Sequence, residues 1–212
     1  MTAPAGGSPR PRTPATAWAG LREGNARFVE GTPRHPNQDA FRRGELAGGQ
    51  APFATVFGCG DSRVAAEVIF DQGLGDLFVV RTAGHVVDSS VLGSLEFATV
   101  LLKVPLIVVL GHDSCGAVKA GMAHYQDGSM PGGYIRDIVE RVTPSVIAAR
   151  QRGGTTSYDV EAEHVRQTMR LIVDRSLAIS DAVDAGDLAL VGLTYKLLDG
   201  RANLVEAIGP IG

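Results

Sequence analysis

Four short apolar runs rich in β-branched residues punctuate the chain, at 54–57 (ATVF), 77–81 (LFVVR), 106–110 (LIVVL) and 188–195 (LALVGLTY). Each lies next to glycine or polar turn residues and is too short for a buried helix, so the four are predicted as buried strands. Between them, helical spacing of apolar positions covers 64–71, 89–103 and 117–126, then a long stretch over 134–185 with a loop at 151–157 built on Arg152-Gly153-Gly154. Strands that alternate with helices predict right-handed crossovers, a mostly parallel sheet and helices on both faces, an α/β fold. The end of the chain differs. Asp199-Gly200 is a tight-turn dipeptide, so 202–205 is predicted to return antiparallel as a fifth, edge strand.

Upstream of the sheet, Trp18, Leu21, Phe28 and Val29 give one apolar face to a helix over 16–30, an N-terminal helical arm that Gly31-Thr32-Pro33 stops. Residues 34–50 are polar and irregular, with a short helical segment at 40–47. Residues 1–15, rich in Pro, Gly, Thr and Ala, are predicted as a disordered tail, and 16–212 as a single domain. The stretch around Met169, Leu171, Ile172, Val173, Leu177 and Ile179 is apolar on more than one side, which suits either a core or a surface buried between subunits.

Composition narrows the function. With 44% hydrophobic and 20% charged residues over 212 positions, the chain is long enough for one substantial core. A net charge of -3 with no basic stripe argues against nucleic acid as a partner. No apolar run reaches the roughly 18 residues of a membrane span. Residues 1–15 hold no apolar stretch of the secretory type, so a cytoplasmic location is expected, where thiols stay reduced. That bears on the two cysteines, Cys59 and Cys115, which lie 56 positions apart with no Cys-x-x-Cys spacing. Thiol-redox chemistry is disfavoured, and metal binding or catalysis is favoured over inert core cysteines.

Both cysteines follow a predicted strand. Cys59 opens Cys59-Gly60-Asp61-Ser62-Arg63, and Cys115 closes His112-Asp113-Ser114-Cys115. Ligands collect beyond the carboxyl ends of parallel strands, and two thiols with an imidazole delivered to that rim suit zinc. Three donors leave a fourth tetrahedral position free for chemistry. Asp61 has two readings. It takes that fourth position and closes the site, or Arg63 holds it in a charge-assisted pair so that it orients a metal-bound water. Without the cysteine beside them, Asp61-Ser62-Arg63 would be an ordinary helix start with a surface ion pair.

With these motifs the chain resembles the β-class carbonic anhydrases, over most of its length and most densely from Gly58 to Ala120. The matching stretches are CGDSRVAAEVIFDQGLGDLFVVRTAGHVV, SLEFA and IVVLGHDSCGAVKA. The resemblance implies zinc on Cys59, His112 and Cys115, Asp61 and Arg63 as a catalytic dyad, and reversible hydration of CO2 to bicarbonate by zinc-bound hydroxide. It also implies four parallel strands with an antiparallel edge strand, and a homodimer, often doubled to a homotetramer, with the N-terminal helix reaching across the partner. Gln50 matches the glutamine with which plant-type members bind bicarbonate. Phe78 and Phe97 match aromatic positions lining the CO2 pocket, and Ala83 matches a small apolar one; alone, these three read as plain core and Gln50 as a polar loop residue. One departure stands out. Many members carry Arg-Asn-x-x-Asn where this chain has Arg81-Thr82-Ala83-Gly84-His85, so His85 is a proton relay or a hydrogen-bonded structural substitute. His35, His124 and His164, in polar or helical-surface contexts, receive no role. Two other readings remain: hydrolysis of carbonyl sulfide or carbon disulfide on the same zinc, and a non-catalytic zinc-binding regulatory module.

Overall fold

The computed structural model describes residues 11–212. Within these residues five strands make one sheet: β1 (Ala54–Cys59), β2 (Leu77–Thr82), β3 (Leu106–His112), β4 (Ala189–Tyr195) and β5 (Ala202–Ile208). Their spatial order is β2-β1-β3-β4-β5. The first four are parallel and β5 is antiparallel to β4, with a register shift at Gly192/Leu193. Every residue of β1, β3 and β4 is buried, which is why those runs are apolar without alternation. At the edge, β5 is only partly buried, with Asn203, Leu204 and Ala207 exposed, and it runs three residues beyond the predicted 202–205.

Among the described residues eight α-helices surround the sheet: α1 (Pro14–Val29), α2 (Ala40–Glu45), α3 (Ala66–Ile69), α4 (Ser89–Glu96), α5 (Gly116–Asp127), α6 (Ile135–Gln151), α7 (Ser157–Arg175) and α8 (Leu177–Asp184). The strand pleat divides the core in two. On one face Val56, Val108 and Val191 pack with Trp18 and Leu21 of α1 and Ile69 of α3. On the other, Phe57, Ile107, Val109 and Leu190 meet Leu95 of α4, Val165, Met169 and Ile172 of α7, and Ile179 of α8.

Local chemistry sets the helix ends. Of the tail expected over 1–15, residues 1–10 lie outside the described residues, while Pro14 and Ala15 already belong to α1. A capping box between Thr13 and Thr16 starts α1 there, with Pro14 at its first turn. The expected arm lies on its own domain. Asn25 donates to the carbonyls of Ile69 and Gly200 and accepts from the Ala202 N–H, which fixes α1 to the end of α3 and to the turn between β4 and β5. The helix expected over 89–103 is α4 followed by a wider π-type turn, Phe97–Leu101. The stretch 134–185 is three helices, because Thr156 caps α7 with a second capping box and Ser176 caps α8. Among the described residues no helix is long and apolar enough to cross a membrane.

A third cluster lies past the carboxyl ends of β1 and β3. There Cys59 and Cys115 pack with Val118 of α5, Val142, Val146 and Ala149 of α6, and Val160 of α7.

Candidate metal centre

Each donor of this cluster is placed by the end of an element. Cys59 is the last residue of β1 and His112 the last of β3, two strands that pair directly. Cys115 is the N-cap of α5, reached through a turn in which Ser114 takes φ 58°. One donor atom from each of the three residues lies within 4.8 Å of the other two, and all three side chains are buried. The thiol at the start of α5 also feels the positive end of that helix.

The donor chemistry fits a metal. His112 Nδ1 lies 2.8 Å from the Asp113 carbonyl, which can only accept, so the proton sits on Nδ1 and Nε2 presents a lone pair. That Nε2 is buried and has no hydrogen-bond partner in the protein, a costly state that a metal ion would relieve. Two soft thiolates and one imidazole in a closed-packed shell suit zinc. The thiols titrate as a pair. Hydrogen bonding from Cys115 holds Cys59 well below the ordinary thiol range, with further help from His112 and the Gly84 N–H, while the bond to Cys59 and burial push Cys115 up. For His112, burial works against the charged ring, but the Cys59 sulfur and the Glu161 carboxylate outweigh it and raise its pKa.

Beside the donors stands an acid–guanidinium pair. Arg63 grips Asp61 by both arms, Nε to Oδ1 at 2.9 Å and Nη2 to Oδ2 at 2.7 Å, and its backbone N–H adds a third bond at 3.0 Å. Arg63 therefore holds the Asp61 carboxyl far below the usual carboxylate range, so it is anionic at neutral pH. Its Oδ2 still lies only 3.9 Å from His112 Nε2, facing the donors. Arg81 of β2 pins the loop from the neighbouring strand, with Nε on the Cys59 carbonyl at 2.9 Å and Nη2 on the Asp61 carbonyl at 2.6 Å.

Thus Cys59, His112, Cys115, Asp61 and Arg63 come together. Ala83, just after β2, shares their rim, since Thr82 pairs with Cys59. Gln50, Phe78 and Phe97 do not meet that rim within one chain. Gln50 precedes β1, at the end opposite Cys59. Phe78 pairs with Thr55, four residues before Thr82, which is about 13 Å along the strand. Phe78 stacks on the partly exposed Phe97 with centroids 6.1 Å apart.

Three groups escaped the sequence reading. Arg81 was visible as the arginine that opens Arg81-Thr82-Ala83-Gly84-His85 but not as a clamp. Glu161 on α7 is buried and accepts the His112 backbone N–H at 2.8 Å, and burial raises its pKa to about 7. Gly111 makes room for that approach, because a Cβ there would stand 2.7 Å from Glu161 Oε1. His164, expected on a helical surface, is instead buried and bonded on both nitrogens. His85 is fully buried, 4.4 Å ring to ring from His164, and neither of its nitrogens has a partner in the protein, so it is no hydrogen-bonded substitute. The polar pattern around 161–168 concealed Glu161 and His164. Its one cue was the apolar spacing Val160, Val165, Met169, Ile172 running through it.

Comparison with known proteins agrees with this geometry. Residues 54–202 match the family model described as carbonic anhydrase. The chain is 59% identical over 199 residues to carbonic anhydrase 2 of Mycobacterium tuberculosis, covering 94% of this chain and 96% of that one. Among solved structures, a Coccomyxa β-carbonic anhydrase in complex with acetazolamide superposes with a TM-score of 0.69 at 26% identity, over 78% of each chain. Tetrameric β-carbonic anhydrases of the ascomycete Sordaria macrospora share the fold, with a TM-score of 0.69 at 24% identity over 89% of this chain and 91% of theirs. Family, fold and donor cluster converge: the chain belongs to the carbonic anhydrase family, in its β class.

Proposed function

We propose that the protein catalyses the zinc-dependent, reversible hydration of CO2 to bicarbonate and a proton, with Cys59, His112 and Cys115 holding the metal. Bound there, zinc supplies the Lewis acidity that makes a water nucleophilic near neutral pH. The observation that carries the reading is the bidentate Arg63–Asp61 pair beside a set of three donors. Because Arg63 occupies both carboxylate oxygens, it holds Asp61 back from a fourth ligand position. An anionic Asp61 is then free to accept a hydrogen bond from the attacking water and aim it at CO2. Arg81 keeps the loop from drifting by its two backbone contacts.

Ala83 is the substrate-binding position nearest these groups in the same chain. Gln50, Phe78 and Phe97 belong to the other end of β1 and β2, so they reach a metal only when a second copy brings them there. This supports a homo-oligomer, dimer or tetramer, as the working form. Gln50 then steadies an oxygen of bicarbonate while the two rings give CO2 an apolar surface. Thiols that must stay reduced to hold the metal support a cytoplasmic location.

Stopped-flow CO2 hydration on as-purified, chelator-stripped and zinc-restored protein tests the proposal. Activity should vanish on stripping and return with zinc. A zinc-loaded protein that hydrates no CO2 would overturn it, and parallel assays with carbonyl sulfide and carbon disulfide would then identify the alternative substrates.

A further inference from the structure

Gly84 touches the metal site through a contact the ligands themselves do not provide. Its N–H donates to Cys59 Sγ at 3.3 Å. Having no side chain, it sits at φ 64° and ψ 22°, and a Cβ there would come to 2.5 Å from the Ala117 Cβ of α5. Glycine is needed at this point, yet glycine is also the residue least able to hold its own dihedrals. Something else must keep the N–H on the sulfur.

That support comes from α6 and α7. His164 Nε2 lies 2.9 Å from the Gly84 carbonyl. A carbonyl can only accept, so Nε2 carries a proton and donates it there. On the other side of the ring, Nδ1 is 2.9 Å from the Ser145 hydroxyl, which is also 3.0 Å from the Gln167 side-chain oxygen. The hydroxyl has one proton for two acceptors. Burial lowers the pKa of His164, which keeps the ring neutral and gives Nδ1 the claim on that proton. His164 and Ser145 are both buried, at 4% and 1% exposure, so neither bond competes with water. A line of contacts therefore runs from Ser145 through the imidazole to Gly84 and ends on a metal-binding sulfur.

We propose that His164 is a positioning residue for the metal-binding thiolate: by anchoring the Gly84 carbonyl it keeps the Gly84 N–H on Cys59 Sγ and so sets the charge that this sulfur gives the metal. The inference rests on the reading that Cys59, His112 and Cys115 hold a metal ion. Hydrogen bonds behind metal ligands orient them and tune their donor strength, and losing one typically costs about 10- to 100-fold in metal affinity. Without His164 the Gly84 backbone is free to turn, the sulfur loses its donor and becomes more electron-rich.

The test uses full-length protein exchanged into cobalt(II), whose thiolate-to-metal charge-transfer band reports the electron density on the sulfurs. His164→Leu should move that band to longer wavelength and weaken zinc binding about 10-fold or more in competition with a chromophoric chelator. His164→Gln, whose amide nitrogen can replace Nε2 as donor to Gly84, should restore the wild-type band and most of the affinity. A His164→Leu band that coincides with wild type would overturn the proposal even if the variant melts earlier, since that is what a merely structural histidine predicts. Equal shifts in His164→Leu and His164→Gln would overturn it too. Should His164→Leu not fold, Ser145→Ala removes the outer bond at little cost in volume and should give a smaller shift in the same direction; no shift counts against the idea. A wild-type protein with no thiolate–cobalt band at all would instead refute the metal reading beneath it.

Discussion

Two of the protein's aspartate–arginine pairs are similar in length and differ in their surroundings. Arg27 meets Asp71 at 2.6 Å and Arg63 meets Asp61 at 2.7 Å. In the first pair the carboxylate is 1% exposed, and its oxygens also accept the backbone N–H groups of Arg34 and His35. It ties α1 and the segment after it to the turn that follows α3. In the second pair the guanidinium is 53% exposed, the residues are two apart, and Asp61 Oδ2 looks toward His112 Nε2. The ion pair itself does not make a site. What distinguishes Asp61 is that its partner fixes it in place beside three buried side chains able to hold a metal, whereas the bonds of Asp71 are all spent on holding chain segments together.

The sharpest way to break this comparison is to remove each carboxylate in turn. Asp61→Ala should retain zinc, because Asp61 is not among the three donors, and should melt near the wild type. It should nevertheless lose CO2 hydration by about 100- to 10,000-fold, the usual worth of a positioned proton acceptor. Metal analysis beside stopped-flow rates decides it, and near-normal turnover in zinc-loaded protein would end the orienting role.

Asp71→Asn should do the reverse. The amide turns an N–H toward the Arg34 and His35 donors and leaves Arg27 half-buried without a counter-charge. Breaking a buried pair on one side costs about 3 kcal/mol, which for a chain of this size lowers Tm by about 6 to 12 °C. The rate per folded, zinc-loaded molecule should stay at the wild-type level. A slower enzyme with an unchanged melting curve would erase the distinction between the two pairs.

The same contrast explains what was legible in the sequence. Asp61 and Arg63 sit two residues apart after a strand, so their pairing and their place at the rim follow from local spacing. The strands themselves were legible because β1, β3 and β4 are buried on both faces and their apolar runs have no interruption. Arg27 and Asp71 are 44 positions apart, and no periodicity links them. Glu161 and His164 were hidden for another reason. They lie on α7, which packs against β3 and β4 on one side and α6 on the other, and its polar residues are satisfied inside by His112, Gly84 and Ser145. A helix that buries polar groups against backbone partners imitates a surface helix in sequence. The two glycines that admit it, Gly111 and Gly192, carried no visible reason until Val165, Met169 and Glu161 were seen against them.

A smaller effect separates the pairs by acid. Burial alone would raise the Asp71 pKa, but the Arg34 N–H, the Arg27 guanidinium and the His35 N–H together bring it below its ordinary value of 3.8. The unfolded chain therefore takes up a proton at this carboxyl near pH 3.8, while the folded chain still has it ionised. In that window the unfolded state binds more protons, so stability falls as pH falls. The contribution is complete above the ordinary value and is gone once pH passes below the folded one. Denaturation curves of wild type and Asp71→Asn, taken from neutral pH down to pH 3 or so, should show a stability gap that is constant until about pH 5 and then narrows. Other carboxylates, and the thiols that would release a metal in acid, titrate alike in both proteins and cancel in the difference. A gap that widens in acid would mean that Asp71 is protonated in the fold, and the structural role given to the pair would then have to rest on hydrogen bonds alone.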